Sequence, residues 1–79
     1  MNMNVRDLIW FCDADGTKMP ARVTRADQDD AETVDVAMYI EFTDEAGITH
    51  AQIHGGHAGA KQAKTPEEQK TPGHWWVRS

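Results

Sequence analysis

This chain is short of several things. It has a single cysteine, Cys12, in 79 residues. A lone cysteine cannot close an intramolecular disulfide, so no disulfide framework holds the fold, and a reducing compartment fits best. Cys12 reads as a small buried hydrophobe. The chain also lacks any excess of positive charge. It carries 13 acidic against 8 basic residues, a net charge of −5. Broad binding along a phosphate backbone needs a basic face, and this composition argues against it. A small anionic ligand held by a few residues remains open, as does a positively charged protein partner steered in by long-range attraction. No apolar run approaches the roughly 18 residues of a membrane span. The start, "MNMNVRDLIW", has no basic region followed by a long apolar one, so no secretory signal is expected. The cytosol is the expected location.

Size sets the next limit. One domain is expected over residues 1 to 79. A domain this small buries little more than about 60% of its unfolded surface, so its core is thin. Most apolar residues should therefore be structural.

Strand signals dominate what is present. Residues 5 to 12, "VRDLIWFC", are rich in β-branched and aromatic residues. "DADGTK" follows, and Asp15–Gly16 is a hairpin signal because Gly accepts positive φ. In residues 19 to 26, "MPARVTRA", Met19, Ala21 and Val23 share one face, with Arg22 and Thr24 on the other. Residues 27 to 33 form an acidic loop. In residues 34 to 43, "VDVAMYIEFT", Val34, Val36, Met38, Ile40 and Phe42 alternate strictly, which predicts a strand with one face on the core. "DEAG" turns the chain, and residues 48 to 54 return as an edge strand. Residues 55 to 73 have little to bury and read as a loop. A short helix fits at Thr65–Pro66 with Glu68 as capping-box partner. The ending "HWWVRS" should supply a closing strand. The expected fold is all-β, a small five-stranded antiparallel barrel whose closure removes exposed edges.

Three sets of residues are candidates for chemistry. "LIWFCDADGT" resembles the first motif of the haloacid-dehalogenase-like phosphatases at Asp13, Asp15, Gly16 and Thr17. That family implies a larger parallel sheet with further catalytic groups on other strands. This chain is too short for it, and its strands alternate as antiparallel strands do. A calcium loop would put Phe11 and Arg22 at ligand positions, which neither side chain can fill. No enzyme activity, catalytic residue or cofactor is therefore expected. His50, His54 and His57 have metal-like spacing, but Gly55–Gly56 interrupts a helix. On a strand, His50 and His54 would sit roughly 13 Å apart. Only His54 and His57 could meet, so no metal site is expected beyond that pair. The aromatics are the third set. Adjacent Trp75 and Trp76 must point to opposite faces of a strand, as must Trp10 and Phe11. One of each pair should be exposed. With Tyr39, Arg22, Arg78 and His74, these residues (Trp10, Phe11, Trp75 and Trp76) form the expected partner-binding set.

The ending Pro72-Gly73-His74-Trp75-Trp76, with Pro20, Ala21 and Val23 of "PARV", resembles small phage and prophage proteins that end in a Gly-Trp-His-Trp-like run. The order His-Trp-Trp here departs from the commoner Trp-His-Trp. The resemblance implies a Src-homology-3-like barrel of phage or mobile-element origin and no defined activity. The expected function is a non-enzymatic binding protein, accessory or anti-defence, that engages a host protein or a nucleotide-like signal. The alternative is a virion accessory, a head, connector or tail subunit, with the aromatics buried against neighbouring subunits or a second copy in a homo-oligomer.

Overall fold

The computed structural model describes residues 3–27 and 29–78. Five strands and one short 3-10 turn make up the fold: β1 (Leu8–Cys12), β2 (Lys18–Ala26), β3 (Thr33–Thr43), β4 (Thr49–Gln62), the turn Glu68–Lys70, and β5 (His74–Val77). The chain is thus all-β, as its alternation implies. Each strand is hydrogen-bonded to the next, and β5 returns to β1, so one mixed sheet closes on itself.

That sheet is not wholly antiparallel, which corrects the sequence reading. β4 and β5 run parallel and meet only at Lys61↔His74 and Gln62↔Trp75. The cause lies in the connection. The chain leaves β4, makes the 3-10 turn and reverses again through Pro72–Gly73, so β5 enters in the direction of β4. Gly73 accepts the φ of +88° that this reversal requires. Closure therefore rests on a short seam, and much of β4 keeps an unpaired edge.

The 55 to 73 segment is a second correction. β4 runs straight through Gly55–Gly56 to Gln62. Register shifts between Val34 and Val36 and between Met38 and Tyr39 show why glycines are tolerated here. They absorb bulges opposite a strictly alternating partner. Its poor alternation has a simple cause as well. Ala60 is its one buried residue, so most of the strand has no face to hide. The expected helix shrinks to the 3-10 turn. Its capping contact survives: Glu68 N donates to Thr65 Oγ1 at 3.2 Å, while Glu68 Oε1 accepts from Lys64 N at 3.1 Å.

The core forms where the alternating faces converge. Ile9, Phe11, Ala21, Val23, Val34, Val36, Met38, Ala60 and Trp75 are buried together. Trp75 is 1% exposed, and its indole Nε1 donates to Glu32 O at 2.9 Å, so its polar atom is satisfied. The core stripe of β3 then runs out. Ile40 and Phe42 continue the alternation past the last β2–β3 pair, Ala21↔Met38, and are exposed. There β3 and β4 form a two-stranded arm, which gives the molecule extents of 44 × 25 × 22 Å.

Candidate functional site

The outer face of β1, β2 and β5 carries a continuous row of large side chains. Trp10 sits directly between Pro20 of β2 and Trp76 of β5. Residues opposite each other in antiparallel strands share a face, so all three rings lie side by side on the outside. Tyr39 belongs to the same face of β3, one step beyond the Ala21↔Met38 pair. All four are half-buried, and cations lie against two of them, Trp10 and Tyr39. Lys18 Nζ is 4.4 Å from the centre of the Trp10 ring and Arg78 Cζ is 4.7 Å from it. Arg22 Cζ is 5.5 Å from the Tyr39 ring. These are cation–π distances.

Arg78 is the anchored member. Its Nε donates to Ile9 O at 3.0 Å, and one of its terminal nitrogens is 3.8 Å from Glu41 Oε1. Lys18 and Arg22 make no ion pair with a carboxylate among the described residues. Each can turn its charge toward an incoming anion without breaking a salt bridge. An acidic chain thus gathers three of its cations beside its outer aromatic rings.

The expected contact residues divide. Trp10, Arg22, Tyr39, Trp76 and Arg78 are brought together on this face. Phe11 and Trp75 are not, because both are core side chains. As surface contacts they are withdrawn, for the reason that makes their neighbours exposed: strand alternation sends one of each pair inward. His74 shares its face parity with Trp76, but its ring is held locally. Its Nδ1 is 3.1 Å from Thr71 O and its Nε2 is 3.6 Å from Glu68, so it braces the turn before β5. Lys18, Pro20 and Glu41 were missed by sequence reading. Parity would have found Lys18 and Pro20, since both alternate in step with Arg22 along β2.

The histidines are also separated. His54 Nε2 is 3.7 Å from Asp13 Oδ2, whereas the His57 ring lies 5.0 Å from the Phe11 ring, tilted by 42°. His50 is engaged by Asp44 at 2.7 Å. Among the described residues, no group of three or more His, Cys, Asp or Glu side chains is arranged to hold a metal ion.

The phosphatase-like aspartates are occupied by their own turn. Asp13 Oδ1 accepts from Ala14 N at 2.8 Å, and Asp15 Oδ1 accepts from Thr17 N at 3.1 Å. Hydrogen bonds from Thr17 hold the Asp15 carboxyl below the ordinary aspartate range. Burial pushes the Cys12 thiol up, and the charges of Asp13 and Asp15 add to it. A raised thiol is a poor nucleophile at neutral pH.

Hollows also open among the described residues. One, of about 350 Å³, opens between β4 and the ends of β1 and β5 over Phe11 and Met38. Another, of about 410 Å³, lies where β2 ends and β3 begins, lined by Arg25, Thr33 and Asp35 among others. Among the described residues, no helix is long and apolar enough to cross a membrane. In comparison with known proteins, no family model, curated protein or solved structure matches this chain.

Proposed function

We propose that this protein is a small non-enzymatic binding module of phage type, an accessory or anti-defence protein that works in the host cytoplasm. Its partner is a host protein or a nucleotide-like signal, engaged through Trp10, Trp76 and Tyr39 with Lys18, Arg22 and Arg78. The observation that carries this reading is the row of half-buried rings flanked by cations on an otherwise acidic chain. A planar anionic group suits such a face, because a ring can stack while Lys18 or Arg22 meets its charge. Base–aromatic stacking is worth about 1–3 kcal/mol per base. A protein partner with an acidic or aromatic patch would use the same contacts.

The fold supports a Src-homology-3-like reading. β1 lies between β2 and β5, and a 3-10 turn links the fourth strand to the fifth. The occupation of Asp13 and Asp15 by turn amides supports a non-enzymatic reading of the opening motif.

The test is a tryptophan-fluorescence titration with mononucleotides and cyclic dinucleotides, paired with native mass in host extract. The reading predicts either saturable quenching or a discrete mass increase. Either signal should fall at least tenfold in Trp76→Ala and Arg22→Ala, with both variants still unfolding cooperatively. If both variants keep the wild-type signal, the outer face is not the binding surface.

The β3–β4 arm favours one second reading. Ile40, Phe42, Ile48 and Ile53 are all exposed on it or at its turn, as a subunit that buries its arm in a particle would require. Co-sedimentation with virions, abolished by Phe42→Ser, would support that virion-accessory role.

A further inference from the structure

The unpaired edge of β4 leads to a second surface, distinct from the outer aromatic face. β4 pairs with β3 along its length, but its other edge meets β5 only at Lys61 and Gln62. From Thr49 to Ala60 that edge has no strand beside it among the described residues. Long free edges are normally guarded by Lys, Pro or inward-pointing charge, because they template strand addition. This one is bent by its two bulges but carries no charged or proline guard of its own. From Ala46 to Ala60 the chain contains no Asp, Glu, Lys, Arg or Pro, although 27% of its residues are charged. Its residues are mainly Gly, Ala, His, Thr and Ile.

The edge also borders a hollow. The cleft of about 350 Å³ lies between Gly56–His57 of β4 and the ends of β1 and β5. Phe11 and Met38 line it from the core, with Pro72 and Asp13 at its other side. Its size falls at the small end of ligand pockets, ~300–1,000 Å³. Carboxylates stand at the middle of the edge and at its leading end. Asp13 reaches His54 in its middle, and Asp44 and Glu45 sit at the turn before it.

From the free edge, its lack of charge and the adjoining cleft, we infer that β4 accepts an extended peptide segment as an added strand, with an apolar side chain in the Phe11–Met38 cleft and Lys or Arg beside it. Main-chain hydrogen bonds to β4 would supply affinity and the cleft would supply selection. The basic character follows from charge complementarity. The chain is −5 overall, with carboxylates at the middle and leading end of the edge, so a second copy of itself is the disfavoured occupant.

The probe is a short synthetic peptide that alternates lysine with valine and leucine. Its controls are the same peptide with glutamate for lysine, and one N-methylated at alternate residues to remove backbone donors. The readout is backbone-amide NMR of the full chain. The basic peptide should shift and protect amides between Thr49 and Ala60, and leave the Trp10 and Trp76 indole signals unmoved. Both controls should bind at least tenfold more weakly. Asp13→Asn keeps an oxygen for Ala14 N and should weaken the basic peptide several-fold. Equal binding of the lysine and glutamate peptides overturns the inference. So do shifts confined to the outer face, no shift at millimolar peptide, or a peptide-free dimer whose β4 edge is already protected. Because the outer face is read separately, this inference can fail while the proposed function stands, and the reverse.

Discussion

Trp75 and Trp76 are neighbours in sequence and opposites in role. Trp75 fills the core and donates to Glu32 O, whereas Trp76 lies on the outer row beside Trp10. Truncating a buried Trp costs about 3–5 kcal/mol. A small domain has about 5–15 kcal/mol in total. Trp75→Ala should therefore leave little cooperative unfolding in a urea titration. Trp76→Ala should cost about 1 kcal/mol, near the range of surface changes. Equal losses would contradict the assignment of faces. Cys12 gives a second prediction at this scale. It is fully buried and its thiol is pushed up, so it should resist a thiol-specific reagent in the native protein and react on unfolding. Fast labelling under native conditions would place it at the surface instead. Parity along a strand was legible in the residues, which is why one of each aromatic pair was expected inside. Which one was not legible, because that depends on register with partners far along the chain.

Among the elements, the β3–β4 arm depends most on local chemistry, because no core lies beneath its outer half. Its turn is held by Asp44, whose Oδ1 accepts from Ala46 N and Ile48 N, each at 2.9 Å, and whose Oδ2 meets His50 at 2.7 Å. Gly47 takes the φ of +81° that the turn needs. Two-stranded ribbons are marginal in water without such support. Asp44→Ala should speed amide exchange across residues 40 to 52 by at least tenfold and change the melting temperature little. An unchanged exchange rate would mean that the arm is held by something other than its turn. β1, β2 and β3 were legible because hairpin signals and strict alternation are local. β4 was legible only over residues 48 to 54, since Gly55–Gly56 reads locally as a break. Only the long alternating partner, with its two bulges, makes a strand of it. The parallel seam was equally illegible, as it follows from a reversal at Gly73 rather than from any periodicity.

For the whole molecule, acidity in turns sets the response to pH. Asp15, Asp30 and Asp44 each sit in a turn and are held below the ordinary aspartate value, about 3.9, by hydrogen bonds from Thr17, Thr33 and His50 respectively. A carboxyl with a depressed folded value contributes stability above its unfolded value and loses it as pH falls through the folded one. Urea midpoints should therefore show no loss from these groups between pH 7 and about pH 5, then a decline below about pH 4. Replacing all three by Asn should flatten that decline. A decline just as steep in the triple variant would place the acid-sensitive groups elsewhere. The same molecule concentrates its half-buried rings and Lys18, Arg22 and Arg78 on the outer face of β1, β2, β3 and β5. That asymmetry is the basis of the proposed binding role. It is tested most directly by the three indole N–H signals of Trp10, Trp75 and Trp76 in an NMR titration with the nucleotide panel and host extract fractions. The account predicts that the Trp10 and Trp76 signals move together and saturate while the Trp75 signal stays in place. A titration in which Trp75 moves, or in which a bound partner leaves Trp10 and Trp76 unchanged, would contradict it.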